Sequence, residues 1–175
     1  MFDDLVRRAR KRPLWESGED TTEVHFGRME IERLLRHRDP FLLVDTITGV
    51  DLDQAAVRGT RTVRPDDPVF TGHFPGQPIY PGVLQVEIMG QLGVCLTHFA
   101  TRGTHEIAPD AEPADVRAFK VHHALFQTEV LPGDELTVLA TLLDLDDYTA
   151  VCAGQLLRAG TICSLAVMEV YFAGQ

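Results

Sequence analysis

The feature that most constrains the fold is a long apolar segment in the middle of the chain, from Gly82 to about Ala100. Apolar side chains would cover nearly all sides of a helix formed by this segment, and such a helix must be surrounded by protein. It would be about 30 Å long at about 1.5 Å per residue. Glu87, Gln91 and His98 interrupt the apolar sequence, which favours a buried helix over a membrane span. Pro81 suits its first turn, where a missing N–H costs no intrahelical bond.

The segments on either side of this helix are predicted to be mostly β-strands. Before it, a short helical pattern at residues 29–36 precedes two strands, at 39–50 and 55–64. After it, a polar loop leads to three or four long strands with hairpin-type breaks at Pro132-Gly133, Asp146-Asp147 and Ala159-Gly160. An antiparallel sheet that curls round one apolar helix is the α+β arrangement called the hotdog fold. Its exposed sheet edge or helix flank would favour dimerisation.

The length and charge of the chain narrow its class and its partners. Its 175 residues suit one compact domain, predicted at residues 29–175 after an N-terminal extension at residues 1–28. The formal net charge of −10 argues against nucleic acid or an acidic membrane surface as a partner. One basic run, Arg7–Arg12, goes against this trend. We expect it to be a solvated helix face rather than a docking patch.

Cysteine usage and the N-terminal sequence predict a cytoplasmic protein. Cys95, Cys152 and Cys163 are odd in number, form no CxxC pair and have apolar neighbours. Reduced, buried thiols are therefore expected. The first residues, MFDDLVRRARKR, carry acids early and contain no apolar run, so they are not expected to be a signal peptide.

A glycine- and proline-rich turn runs directly into the apolar helix, and together they carry the candidate chemistry. An isolated ionised Glu87 would cost on the order of several kcal/mol, so we expect either that it has a partner or that its pKa is raised, as a general acid requires. Gln91 lies one helical turn further on and can hydrogen-bond to it. His73 is a competent base. The free N–H groups at Gly82 and Val83 can hold a developing oxyanion.

An acid, a base and an oxyanion donor beside an apolar channel would suit a specific reaction. They can remove a proton next to a carbonyl and protonate a β-hydroxyl as it leaves. The residue types alone are equally compatible with a structural role, in which His73 caps a turn and Glu87 is a paired buried acid.

The remaining histidines are expected to be structural. His25, His37 and His105 are assigned to the surface or to turns, and His98 to the core. His122 and His123 are adjacent on a predicted strand and therefore point to opposite faces, so they cannot bind one ion together. No metal site is predicted, because no Cys or Asp spacing supports one.

Two motifs together resemble a known family. HRDPFLLVD (37–45), followed by GHFPGQPIYPGVLQVE (72–87), is similar to the β-hydroxyacyl-acyl-carrier-protein dehydratases of type II fatty acid synthesis, in the branch with a catalytic glutamate. LPGDELTV (131–138) also looks like a turn of that family, and the resemblance runs from about Met29 to Phe172. It implies a hotdog lyase that dehydrates a 3-hydroxyacyl thioester, bound to carrier protein or CoA, to the trans-2-enoyl thioester, without a cofactor.

The resemblance also implies roles for individual residues. His73 would be the catalytic histidine, Glu87 the catalytic acid, Gly82 the N–H donor to the thioester carbonyl, and Gln91 a support for Glu87. In this family the histidine and the glutamate come from different chains of a dimer, and three dimers often form a hexamer. The segment around the turn would also form the substrate tunnel, at Phe74, Tyr80 and Pro81.

The chain departs from the family pattern at three places. A basic strand is expected before the Pro-Gly-Asp turn, but VHHALFQTEV (121–130) has His122, His123, Leu125 and Gln127 instead. In the family those basic groups help to dock the acidic acyl carrier protein, so their absence puts this partner in question. Lys120, Arg117 or the Arg7–Arg12 run could supply the positive charge instead. Tyr80 stands where a smaller residue, often Met, is usual, and an aromatic ring there could narrow the tunnel. Residues 1–28 are longer than the usual start, and these changes would suit a polyketide-type pathway.

Two other functions remain open from the sequence. A hotdog acyl thioesterase would use the same helix start and a carboxylate to activate water. A non-catalytic acyl-binding subunit would share the fold, but the presence of both His73 and Glu87 speaks against it.

Overall fold

One seven-stranded antiparallel sheet curls round a long helix in the computed structural model, which describes residues 2–173. In chain order the elements are α1 (Asp3–Ala9), β1 (Thr22–Phe26), α2 (Arg28–Ile31), β2 (Thr46–Asp51), β3 (Ala56–Thr62), a 3₁₀ turn (Pro68–Thr71), α3 (Gly82–Arg102), β4 (Val116–Phe126), β5 (Glu135–Leu145), β6 (Thr149–Arg158) and β7 (Thr161–Phe172). The strands lie in the order β1-β2-β3-β5-β6-β7-β4. The predicted α+β hotdog architecture is confirmed.

The central helix α3 lies where the sequence predicts it. It begins at Gly82, directly after Pro81, and ends before Gly103, whose φ of 58° is the left-handed conformation that terminates helices. Ile88, Leu92 and Leu96 on α3 are completely buried. Although α3 is long and apolar enough to cross a membrane, most of it is buried inside the protein.

Glycine allows α3 to pack closely on the sheet. A Cβ added to Gly154 in β6 would lie 2.5 Å from Met89 Cβ, so only glycine fits there. On the helix side, a Cβ at Gly93 would lie 3.1 Å from Cys152 Cβ. These contacts hold the helix against the middle of the sheet and fix its rotation, and therefore the direction in which its few polar side chains point.

The first predicted strand is shorter than expected. Residues 39–50 were predicted to be one strand, but β2 begins only at Thr46. Leu42, Leu43 and Val44 are buried outside the sheet. The Leu43 N–H donates to the Gln91 side chain at 2.8 Å instead of to a neighbouring strand. A side chain on α3 thus replaces part of the ladder that the sequence pattern suggested.

The N-terminal residues pack on the outer face of the sheet. Val6 and Ala9 of α1 lie against β6 and β7 in one apolar cluster. Trp15 lies in a second cluster, and its indole N–H donates to the Val57 carbonyl at 3.2 Å. β1, which the sequence did not predict, pairs with β2. The predicted boundary after residue 28 therefore falls inside α2, directly after its first residue, and α2 contacts both β1 and β2 of this sheet.

Candidate active site at the start of the central helix

The first turn of α3 presents free backbone donors. The Pro81 carbonyl accepts from Leu84 N–H and Gln85 N–H at 3.1 and 3.2 Å. Within residues 2–173, the N–H groups of Gly82 and Val83 have no hydrogen-bond acceptor. No side chain caps this end of the helix. These two N–H groups, at the positive end of a 21-residue helix, can therefore bind a carbonyl oxygen that gains negative charge.

Glu87 lies just over one turn into α3 and is held through one of its two oxygens. The Gln91 amide donates to Glu87 Oε1 at 2.9 Å. His37 Nε2 lies 3.3 Å from the same Oε1 atom. No hydrogen bond or ion pair involves Oε2 within the described residues 2–173. The carboxyl is thus fixed in place while one oxygen stays available to a ligand.

Gln91 is itself held by the HRDPFLLVD segment. Its carbonyl oxygen accepts from Leu43 N–H at 2.8 Å, and its amide nitrogen also donates to the Phe41 carbonyl at 2.8 Å. These contacts fix which end of the amide is the donor, because a backbone N–H requires an acceptor and a carbonyl requires a donor. Gln91 therefore presents N–H to Glu87, as the sequence predicted, and the segment that carries His37 determines this orientation.

The pKa of Glu87 is lowered from its ordinary value, not raised. The His37 imidazole is the largest cause, the Gln91 hydrogen bond adds to it, and partial burial opposes both. The sequence left two outcomes open, and the structure shows the one in which Glu87 has partners. His37 was assigned to the surface or a turn, and it does lie outside the helices and strands with its side chain 35% exposed, but its contact with Glu87 was not predicted. Only the tertiary fold brings these side chains together.

His73 is oriented by its own turn. Its Nδ1 lies 2.8 Å from the Ile79 carbonyl oxygen. A carbonyl only accepts, so Nδ1 carries the proton and the neutral ring keeps a lone pair on Nε2. The Phe74 ring stacks on the imidazole with centroids 4.0 Å apart. His73 is thus oriented by its turn, and within residues 2–173 its Nε2, the basic nitrogen of this tautomer, has no hydrogen-bond partner.

His73 and Glu87 of one chain are not brought together. No hydrogen bond or ion pair joins them in the part of the chain that the structure describes. Glu87 lines a cavity of about 430 Å³ between α3 and β4, whereas His73 does not. Other residues on the walls of this cavity include His37, Val83, Val86, Gly90, Gln91, Lys120 and Val121.

The predicted tunnel residues lie outside this cavity. Tyr80 is 1% exposed and belongs to the main core, with its ring 6.1 Å from that of Phe70. Burial raises the pKa of its hydroxyl. Its backbone N–H donates to the Val130 carbonyl, which draws the residue inward. Pro81 is also buried, and Phe74 is half-exposed on His73. Tyr80 is buried in the core of this chain, and a tunnel role for Phe74, Tyr80 and Pro81 stays a prediction.

Phe126, at the end of β4, is a site residue that the sequence did not single out. A Cβ built on Gly82 would lie 2.8 Å from Phe126 Cζ and 2.9 Å from Cε1. The aromatic ring thus covers the first residue of α3, although about half of the Phe126 residue is exposed. Only glycine fits under the ring in this position, and the ring forms a wall beside the free N–H groups.

The other polar groups near α3 suit structural roles. His98 is 9% exposed, and its pKa is lowered, chiefly by burial and also by the neighbouring Arg102. His122 Nε2 lies 2.7 Å from Glu169 Oε2. Within residues 2–173, no group of three or more His, Cys, Asp or Glu side chains is placed to hold a metal ion.

Comparison with known proteins places the chain in a family. A model of the FabA-like domain matches residues 35–162. The chain belongs to the FabA-like family. This FabA-like chain is 35% identical over 141 residues to the 3-hydroxyacyl-[acyl-carrier-protein] dehydratase FabZ of Campylobacter curvus, covering 81% of this chain and 93% of that protein. It is 38% identical over 113 residues to the FabZ of Rickettsia felis, covering 65% of this chain and 72% of that one.

A solved structure supports the fold of this FabA-like chain. The dehydratase heterocomplex ApeI:P of Xenorhabdus doucetiae contains a chain that matches with a TM-score of 0.64 at 22% identity. The match covers 83% of this chain and 91% of that one. The family resemblance drawn from the two sequence motifs is confirmed.

Proposed function

We propose that this FabA-like protein is a lyase that removes water from a 3-hydroxyacyl thioester and forms the trans-2-enoyl thioester. The observation that carries the proposal is the placement of Glu87. It lines a cavity that Val83 at the start of α3 also lines, and within residues 2–173 only its Oε1 is engaged. The names of its relatives, 3-hydroxyacyl-[acyl-carrier-protein] dehydratases at 35% and 38% identity, support the same reaction.

In this proposal the thioester carbonyl binds to the N–H groups of Gly82 and Val83, which makes the adjacent Cα–H more acidic. Nε2 of His73 takes that proton, and the Cα–H bonding pair becomes the new C=C bond. The Cβ–O bond breaks, and its oxygen leaves as water with a proton from Glu87 Oε2. His73 ends protonated and Glu87 ionised, and one proton transfer restores both groups. The reaction is redox-neutral, so it requires no oxidant, reductant or electron-carrying cofactor.

Glu87 must hold a proton at the moment the hydroxyl leaves. In the free chain its pKa is lowered, and the residue is still about one-third exposed to solvent. An acyl chain in the cavity would exclude that solvent, and desolvation raises the pKa of a carboxyl. Substrate binding thus moves the acid in the direction that the reaction needs, while Gln91 and His37 keep it oriented.

We also propose that each active site is shared between two copies of the chain. His73 and Glu87 do not meet within one chain, so the base must reach the cavity from another. β4 pairs with β7 on one side only, and its other side is the free edge of the sheet. Its 11 residues include Phe119 and Val121, both exposed. Such an edge is a template for a second copy. A homodimer, alone or in a trimer of dimers, would complete the site and bring Phe74 to the partner's tunnel.

We also propose that an acyl carrier protein carries the substrate and that the protein works in the cytoplasm. The two FabZ relatives are named as dehydratases of 3-hydroxyacyl-[acyl-carrier-protein], a carrier-bound thioester. The three cysteines are buried and free, which suits a reducing compartment. Fatty acid synthesis is the pathway we propose, and the polyketide-type alternative is a matter of acyl chain preference.

The test follows the hydration of a crotonyl thioester, the reverse reaction, through the loss of enoyl absorbance. His73→Ala and Glu87→Gln are each expected to reduce kcat by about 10²–10⁴-fold with the fold intact. Glu87→Gln keeps an oxygen that can accept from Gln91. His25→Ala, at an exposed histidine, is the matched control and should retain full activity.

Mixing the two inactive variants tests the shared site. If subunits exchange, one site in a mixed dimer has both His73 and Glu87, and part of the activity should return. No recovery after verified exchange would contradict a shared site. Near-normal activity of either variant would contradict the mechanism. Release of free thiol from the thioester, without hydration, would identify a thioesterase instead.

A further inference from the structure

The basic N-terminal run is held rigidly on the sheet. The Gln155 side chain, fully buried in β6, donates to the Ala9 and Arg12 carbonyls at 2.6 and 3.0 Å. Its oxygen accepts from Leu14 N–H at 2.8 Å. Val6 and Ala9 face the sheet, which leaves the basic side chains pointing outward. The segment is therefore a fixed surface.

The charges on this surface are mostly unneutralised. Five of the 16 lysines and arginines of the chain lie in Arg7–Arg12, and all five are exposed. Arg7 pairs with Asp4 at 2.5 Å. Among residues 2–173, no carboxylate lies within ion-pair distance of the other four cations. A protein of net charge −10 thus concentrates positive charge in one place, where an anionic partner would be attracted and the rest of the surface would repel it.

This surface adjoins the start of α3. Arg10 Nε donates to Gln127 Oε1 at 3.1 Å, and Gln127 Nε2 donates back to the Arg10 carbonyl at 3.1 Å. Arg7, Arg10 and Lys11 line a groove with Leu125, Phe126 and Gln127. The Phe126 ring covers Gly82. A single aromatic side chain therefore separates the cationic groove from the N–H groups proposed to bind the thioester.

We propose that Arg7–Arg12 is the docking surface for the acidic carrier protein that delivers the acyl thioester. This inference rests on the proposed function and adds the place where the partner binds. The expectation from sequence, a solvated helix face, did not include the pairing of Arg10 with Gln127. An apolar floor at Leu125 and Phe126 with a charged rim is the composition of a protein interface. That composition favours a protein partner over the free nucleotide end of coenzyme A.

The experiment compares Arg10→Glu/Lys11→Glu with the control Arg64→Glu/Arg102→Glu, which changes the net charge equally. Both control positions are exposed and lie outside the groove, and Arg102 ends α3 at the far end from Gly82. Each protein is assayed with the same 3-hydroxyacyl group on carrier protein, on coenzyme A and on uncharged N-acetylcysteamine. At low salt, the groove variant should lose at least about tenfold in kcat/KM with the carrier substrate, and little with N-acetylcysteamine. The control should lose less than about twofold with the carrier substrate.

A separate measurement of equilibrium binding between the acyl-carrier protein and each variant tests the docking surface independently of turnover. The groove variant should bind at least about tenfold more weakly, with a loss that shrinks as salt is added. Equal losses with carrier protein and coenzyme A would overturn the proposal in favour of phosphate binding. An unchanged affinity for the carrier, or no binding to the unaltered protein, would also overturn it. If the unaltered protein binds the carrier but converts none of the three thioesters, the proposed function fails while docking stands.

Discussion

The two buried glutamines of α3 allow a quantitative test of how Glu87 is held. Gln91 is 1% exposed and makes three hydrogen bonds, with the Leu43 N–H, the Phe41 carbonyl and Glu87 Oε1. Gln91→Leu leaves the two backbone groups without partners, at about 1–3 kcal/mol each. The gain from burying a leucine offsets about 1–2 kcal/mol. We expect a net loss of about 1–4 kcal/mol in the free energy of unfolding.

Gln85→Leu is the matched control on the same helix. Gln85 is 3% exposed and makes one bond, from Nε2 to the Tyr80 carbonyl at 3.2 Å. Within residues 2–173 its Oε1 is buried without a partner, so leucine removes an unsatisfied acceptor along with that bond. We expect a change within about 1 kcal/mol. Urea unfolding of both variants gives the comparison. Equal losses for the two would refute the view that Gln91 is the main link between α3 and the HRDPFLLVD segment.

The same variant has a catalytic readout that destabilisation alone would not produce. Gln91 donates to the ionised carboxyl, so its loss should raise the pKa of Glu87. The limb of the pH profile of kcat/KM that reports Glu87 should move to higher pH in Gln91→Leu and stay unchanged in Gln85→Leu. An unmoved limb would contradict a positioning role for Gln91.

Three further perturbations test the packing and charge of the fold. Trp15→Ala should cost about 3–5 kcal/mol in urea unfolding, because Trp15 is 6% exposed and hydrogen-bonded to Val57. The control Tyr148→Ala, at an exposed aromatic, should cost under about 1 kcal/mol. Equal costs would contradict docking of the N-terminal segment. Gly154→Ala should destabilise the protein by about 1–3 kcal/mol, because the added Cβ would meet Met89. Gly90→Ala should be neutral or stabilising by up to about 1 kcal/mol, because the nearest atom to its added Cβ is Met168 Sδ at 3.5 Å. A lower melting temperature for Gly90→Ala than for Gly154→Ala would refute this packing argument. Because the pKa of Glu87 is lowered in the fold, its contribution to stability is present above the ordinary value of 4.5 and is lost as pH falls through the folded-state pKa. Glu87→Gln should therefore flatten the stability–pH curve below about pH 4.5, and an unchanged acid slope would contradict the pairing with His37 and Gln91.

Local sequence pattern was sufficient for much of the fold. The apolar segment after Pro81 predicts α3 because one helix with few polar residues must be enclosed. The turns at Asp146-Asp147 and Ala159-Gly160 form the predicted β5–β6 and β6–β7 hairpins, and Gly160 adopts a positive φ angle of 82°. The hairpin predicted at Pro132-Gly133 is wrong, because this turn joins β4 to β5, which are not neighbours in the sheet. The pair Glu87 and Gln91 also follows from sequence, because residues four apart share one face of a helix.

Contacts between distant segments could not be predicted in this way. Residues 39–45 have the composition of a strand, but the Leu43 N–H and the Phe41 carbonyl bond to Gln91 of α3 instead of to a neighbouring strand. His37 lies 50 residues before Glu87 in the chain, and the residues around it do not indicate which carboxyl it contacts. Tyr80 lies within the candidate catalytic motif by sequence, but its backbone bond to Val130 turns it into the core. Each of these outcomes depends on a partner that is remote in the chain.

The sequence by itself determined the fold class, the family and the identity of the candidate acid, base and oxyanion donors, because those depend on local pattern and residue chemistry. The tertiary structure alone decided that the pKa of Glu87 is lowered, how Gln91 is oriented and that the basic N-terminal run lies beside Gly82. It also showed that His73 and Glu87 of one chain do not meet. The physical reason is that pKa values, hydrogen-bond direction and charge proximity depend on distances through space, which a linear sequence does not contain.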